Sequence, residues 1–186
     1  MPDVPETPLL RFRRYRRDDA DHLFRVFADP YARRFYPRMA DPANILKWIE
    51  WNLNNYETFG FGLWALEDSA GRFLGDCGLT YQEVEGHQEL EIGYHIIEDE
   101  RGKGYATEAA RACLAHGFTQ TPALLICSIV DPQNAASVAV ASRIHTSRRD
   151  LIRRNETLLL FYTIRDEGSV RAAEHGDGRT PGWTSS

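Results

Sequence analysis

The stretch Glu98–Phe118, EDERGKGYATEAARACLAHGF, is the tightest constraint on this chain. Before it, ELEIGYHII (Glu89–Ile97) alternates like a strand. After the glycines an alanine-rich run reads as a helix to about Phe118. Gly102 and Gly104 flank Lys103 between the two. Glycines let successive backbone amides point at one place, and a helix start adds unpaired N–H groups and a positive dipole end. Together they make an anion site, most naturally for phosphates. For the glycine pair alone, a solvated turn before a helix is the simpler reading.

The flanking sequence supplies a sheet and helices for this unit. LLRFRRY (Leu9–Tyr15) reads as a first strand. RRDDADHLFRVFADP reads as a helix capped by Asp18, with Pro30 past its end. DPANILKWIEWNLNNY reads as a second helix with Asp41 as cap and Pro42 at its first position. FGLWALE and GRFLGDCGLTYQEV are strands joined by a hairpin turn at Asp68–Gly71, and Glu85–Gln88 is a further turn. LLICSIV reads as a buried strand, DPQNAASVAVASRIH as a helix and TLLLFYTIR as a last strand. The order predicts an α/β (α+β) fold: one mixed, mostly antiparallel sheet of six to seven strands flanked by about four helices. Residues 1–8 read as a flexible start, 9–165 as one domain and 166–186 as a disordered tail.

The 186 residues suffice for a core without disulfides or metal. Hydrophobic content of 42% and charged content of 26% fit a globular chain. A net charge of -5 argues against nucleic acid or an anionic membrane as partner. No apolar run is long enough to span a bilayer, and MPDVPETP lacks the layout of a signal peptide. A cytoplasmic location is the expectation. Cys77, Cys113 and Cys127 form no CxxC and read as small core residues. The six histidines show no ligand spacing, so no metal is expected.

GxxxxGKS/T is absent, and Thr107 stands where GxGxxG needs its third glycine. RGKGYA (Arg101–Ala106) instead resembles the R/Q-x-x-G-x-G/A acyl-CoA loop of the GCN5-related N-acetyltransferases. RGKGYATEA is similar to the branch containing the ribosomal-protein N-terminal acetyltransferases. LRFRRYRRDDADHLFRVFADP, LEIGYHI and DPQNAASVAVASRI resemble further segments of that branch, in the same order. The resemblance spans roughly Leu9–Ile164.

It implies an acyl-CoA-dependent N-acetyltransferase passing acetyl from acetyl-CoA directly to a primary amine, on a protein N-terminus or a small molecule. The pyrophosphate would meet Arg101, Gly102, Lys103, Gly104, Tyr105 and Ala106. The pantetheine arm would lie along the strand end near Tyr94, Ile96 and Ile97, with an Ile96 N–H available to the oxyanion. Asn134 matches the family's asparagine that bonds that arm, and also reads as a helix cap. Glu91 matches a catalytic glutamate and is the base candidate, with Glu89 and His95 on its face; a solvated strand face is the alternative. Ser137 matches a serine near the sulfur and is the acid candidate. Many members use a tyrosine in this helix, where this chain has Ala141; Tyr94 and Tyr162 are weaker substitutes. His145 stands where the family has a glycine that ends the helix in a left-handed turn.

The acceptor pocket would be shaped by the first two helices and their loops. Tyr36, Trp48, Tyr56 and Trp64 are its candidate wall, with Trp51 and Phe59 nearby; for most of them ordinary core packing is the simpler reading. Arg143, Arg148, Arg149, Arg153 and Arg154 form a basic cluster that could meet the 3′-phosphate or an acidic acceptor, with a solvated surface as the alternative. A monomer or homodimer is expected. Two rivals remain: a domain that binds acyl-CoA without reacting, and an aminoacyl-tRNA-dependent acyltransferase.

Overall fold

A computed structural model describes residues 4–166; residues 1–3 and 167–186, which hold nearly all of the expected tail, lie outside them. The described chain runs β1 (Arg11–Arg13), α1 (Ala20–Val26), α2 (Pro30–Phe35), α3 (Pro42–Phe59), β2 (Leu63–Glu67), β3 (Phe73–Val84), β4 (His87–Ile96), α4 (Tyr105–Gln120), β5 (Leu125–Val130), α5 (Ala135–Ile144), β6 (Ser147–Arg153) and β7 (Glu156–Ile164). Short 3₁₀ turns precede α1 and α3 and follow β4. The strands form one sheet in the order β1-β2-β3-β4-β5-β7-β6. Every pairing is antiparallel except β4 with β5.

That parallel pair decides where a site can form. It covers only Leu90↔Ile126 and Glu91↔Cys127, after which the strands part. β4 keeps its other edge on β3 through Ile96. Ile97 N–H donates to Leu74 O on β3, whereas Ile92 O accepts from Ser128 Oγ on β5. Backbone groups alternate sides along a strand. The N–H groups of Tyr94 and Ile96 therefore point into the gap. The core follows the same division. One large cluster runs from Leu10 to Ile144 around β1–β4, α1, α3 and α4, and two small clusters around Leu160 and Phe161 serve β5–β7.

Local chemistry sets most of the boundaries. Asp41 accepts from Ala43 N–H and Pro42 opens α3, as expected. The Asp29–Pro30 pair does the same for α2, a helix absent from the sequence expectation, in which Pro30 lies past the end of the first helix. A proline at the first position satisfies both readings, and only the cap bond from Ala32 N–H to Asp29 separates them. Asp18 is not the cap of the first helical segment. Asp19 accepts from Arg16 N–H and pairs with Arg13, while Asp18 faces solvent. β1 is shorter than Leu9–Tyr15 because the chain leaves the sheet after Arg13, and Tyr15 N–H goes to the Tyr56 hydroxyl.

Candidate active site

The turn between β4 and α4 has the form of an anion cradle. Gly102 and Gly104 sit at φ +78° and +91°, where a side chain is strained. Gly104 is the N-cap of α4 and offers no side chain to the helix start. The first helical bond is Glu108 N–H to Gly104 O, so the N–H groups of Tyr105, Ala106 and Thr107 precede it. By contrast α3 and α5 are capped by Asp41 and Asn134. The open amides face a cavity of about 840 Å³, also lined by Tyr31, Ile96, Arg111 and Arg143.

The loop's own cations are already engaged. Arg101 makes a two-pronged pair with Asp29 (2.6 and 3.1 Å), and its Nε donates to Ile96 O at 2.9 Å. It fastens the loop to α2 and to the end of β4. Lys103 pairs with Glu100 at 2.7 Å and does not line the cavity. Ile97 does not line it either, since the side chain is in the core. The loop therefore faces the cavity through Arg101, Gly102, Gly104, Tyr105 and Ala106, with backbone amides and the helix dipole as its attraction for an anion.

A second cavity, of about 300 Å³, lies against the first. Tyr36, Tyr94, His95, Asn134 and Ser137 line both. Its remaining wall includes Trp48, Trp51, Glu91 and Asp131 and, among the described residues, no lysine or arginine. Glu91 Oε1 accepts from Ile129 N–H at 3.2 Å. Burial is the main influence on this carboxyl; it outweighs that bond and the charge of Arg153, and pushes the pKa up to about 7. Ser137 sits in the first turn of α5, where its carbonyl accepts from the Tyr94 hydroxyl at 2.9 Å. Burial raises the Tyr94 phenol above its ordinary value, which keeps it a neutral donor. Asn134 Oδ1 accepts from Ser137 N–H and from the Tyr31 hydroxyl.

Two acceptor candidates fall elsewhere. Trp64 is fully buried in the main core, edge-on to Phe12 and His116. Tyr56 is buried, takes Tyr15 N–H at its hydroxyl and donates to Leu63 O. Helices cover both faces of β2 at this point, so alternation along FGLWALE does not reveal which side is open. Tyr36 and Trp48 do reach the site, and both pack around His95, with ring centroids 4.9 and 5.8 Å away.

His95 gains a role that the sequence reading did not give it. Its Nδ1 lies 2.6 Å from Asp76 Oδ1, and the Tyr15 hydroxyl donates to Asp76 Oδ2 at 2.7 Å. A signal for this pair exists in the chain. Taking Glu85-Gly86 as a two-residue hairpin turn pairs Val84 with His87 and, step by step, Asp76 with His95. Reading the turn as Glu85–Gln88 hides that register. His145 ends α5 in extended geometry, φ -101° and ψ 155°, so the helix needs no left-handed glycine there.

Among the described residues no helix is long and apolar enough to cross a membrane, and no group of His, Cys, Asp and Glu could hold a metal ion. A family model described as Acetyltransferase (GNAT) domain matches residues 10–147. An uncharacterized Bacillus subtilis (strain 168) protein, YkkB, is 39% identical over 129 residues, 69% of this chain and 75% of its own length. An acetyltransferase structure from Agrobacterium tumefaciens str. C58 is similar with TM-score 0.75 and 25% identity, covering 86% of this chain and 93% of that one. RimL, a ribosomal L7/L12 alpha-N-protein acetyltransferase solved with coenzyme A, shares the fold at TM-score 0.69 and 16% identity, over 87% of this chain and 97% of its own. The family match extends over well more than half of the chain and includes β4, the glycine loop and α5: the protein belongs to the GNAT acetyltransferase family.

Proposed function

We propose that the protein transfers an acetyl group from acetyl-CoA to a primary amine, directly and within a ternary complex. The observation that carries this reading is the junction of the two cavities at Tyr94 and Ser137. One cavity ends in uncapped helix amides suited to a pyrophosphate, and the other in a carboxylate of raised pKa.

The donor's phosphates would take the N–H groups of Tyr105–Thr107, with Arg111 and Arg143 as cationic neighbours. Its pantetheine arm would complete the parted edge of β4. The N–H groups of Tyr94 and Ile96 are then the donors available to the arm and to the oxyanion of the tetrahedral intermediate. The acceptor would enter the smaller cavity as an ammonium, drawn by Glu91, Asp131 and the aromatic walls. Only a neutral amine can attack. A carboxylate with a pKa near 7 takes the ammonium proton close to neutrality without holding it too tightly. Ser137, beside Tyr94, stands near the position expected of the sulfur. These features fit a small amine or the end of a peptide.

The test is thiol release from acetyl-CoA across a panel of primary amines, with acetyl-CoA binding measured in parallel. Turnover with at least one amine is expected. Binding without turnover on any amine would replace this reading with an acyl-CoA sensor. Salt-sensitive tRNA binding without coenzyme A binding would make aminoacyl-tRNA the donor.

A further inference from the structure

We propose that His95, held by Asp76, carries a proton from the attacking amine nitrogen to the leaving thiolate; this rests on the acetyl-transfer reading above. His95 lines both cavities at their junction, so one ring faces the nucleophile's side and the thioester's side. Its orientation is fixed from every direction. Phe27, Tyr36 and Trp48 surround it at centroid distances of 5.1, 4.9 and 5.8 Å. Behind it, Asp76 is fully buried and sits opposite His95 in the β3–β4 ladder. A Cβ at Gly75 would fall 2.0 Å from His95 O, so glycine is what lets β3 run this close to the His95 backbone.

The hydrogen bonds also fix the tautomer. The Tyr15 hydroxyl donates to one oxygen of Asp76, and His95 Nδ1 lies against the other. A carboxylate is acceptor only, so Nδ1 carries the hydrogen and Nε2 keeps its lone pair. Nε2 is the nitrogen left to the cavities. A ring charged at Nε2 would be stabilised by Asp76, as in any carboxylate–histidine pair that shuttles protons.

Glu91 does not make His95 redundant. The two share a face of β4 but stand four residues apart, about 13 Å at the usual strand rise. Acylating an ammonium releases two protons, and they go to different places. Glu91 takes the first and passes it to solvent. The second leaves as the C–N bond forms, moving from nitrogen to Nε2. The tetrahedral oxyanion then collapses, the C–S bond breaks, and the imidazolium returns that proton to the sulfur. The ring ends neutral, as it began. The groups facing it are Asp76 and, behind that, Tyr15 from the β3 side, Tyr36 and Trp48 from the helices, and Glu91 on its own strand.

The test compares wild type, His95→Ala and Asp76→Asn, using the amine that wild type turns over best. Both variants are expected to lose about 10²–10⁴ in kcat, with acetyl-CoA affinity within about twofold of wild type. Added imidazoles should restore His95→Ala, more strongly as their basicity rises, and should not restore Asp76→Asn. Ring-nitrogen NMR should show the Nδ1–H tautomer in wild type and its loss in Asp76→Asn, where the introduced amide donates to Nδ1. A His95→Ala kcat within about threefold of wild type overturns the proposal, as does a wild-type ring unprotonated at Nδ1. If His95→Ala does not fold, Asp76→Asn decides by the same readouts. Wild type that binds acetyl-CoA but acetylates no amine defeats the reading of the whole site, and this proposal with it.

Discussion

His145 Nε2 lies 3.1 Å from Ser128 Oγ, at the first rung where β4 and β5 part. Ser128 has one hydroxyl hydrogen, and it goes to Ile92 O at 3.0 Å. Ser128 Oγ must therefore accept from His145 Nε2–H. His145 Nδ1 then accepts from the Thr163 hydroxyl, 3.1 Å away. This chain of bonds ties α5 and β7 to the edge of the cleft. Burial lowers the His145 pKa from 6.5 to about 4, which keeps the ring neutral and the bond directions fixed.

Replacing His145 with alanine strands Thr163 and removes the Ser128 bond. A loss of about 1–3 kcal/mol is expected, or about 2–4 °C in Tm per kcal/mol. The folded pKa lies below the unfolded one, so this contribution is present above pH 6.5 and fades as pH falls through about 4. The gap in Tm between wild type and variant should narrow over that window. A gap that stays constant from pH 7.5 to pH 5 would count against the neutral buried ring.

Glu91→Gln should lower kcat by about 10²–10⁴ and remove the acidic limb of the rate profile near pH 7. Stability shifts the other way. A carboxyl whose folded pKa is raised from 4.5 to about 7 stabilises the fold below pH 4.5 and loses that contribution as pH rises through about 7. At pH 8 the glutamine variant should melt a few degrees above wild type, and at pH 5 the advantage should be nearly gone. An unchanged rate profile would place the base elsewhere.

Gly104→Glu adds left-handed strain of about 1–2 kcal/mol and a negative charge beside the open amides of α4. Nothing stands within 4 Å of a Cβ at this position, so the effect is not a clash. Acetyl-CoA affinity should fall roughly tenfold or more. Calorimetric binding that matches wild type would remove the loop from the donor site.

Trp64 and Trp51 should separate cleanly. Trp64→Leu opens space in the core and is expected to cost about 1–3 kcal/mol with the amine KM unchanged. Trp51→Ala alters a 38% exposed wall of the smaller cavity. It should raise the amine KM while stability stays within about 0.5 kcal/mol. A Trp51 variant with unchanged KM would show that the acceptor does not lean on that wall.

Local features were legible in the sequence because short-range chemistry fixes them. The strand read over Glu89–Ile97, the glycine turn and α4 needed only periodicity and the conformational freedom of Gly102 and Gly104. The caps at Asp41 and Asn134 needed only neighbours within three residues. The Asp29–Pro30 pair was ambiguous on the same local grounds and was resolved by one cap bond. What the sequence by itself determined is therefore the glycine-loop end of the cleft: an uncapped helix start after a strand, built from contiguous residues. Only the tertiary structure decided which aromatic residues line the smaller cavity. Tyr36 and Trp48 reach the cavity, while Trp64 is sealed in the core because β2 is buried on both faces, and Tyr56 is held there by its bonds to Tyr15 and Leu63. Asp76 reaches His95 from 19 residues away, and Ser128 reaches His145 from 17. Such pairs depend on strand register and layer packing, which no short stretch of residues encodes.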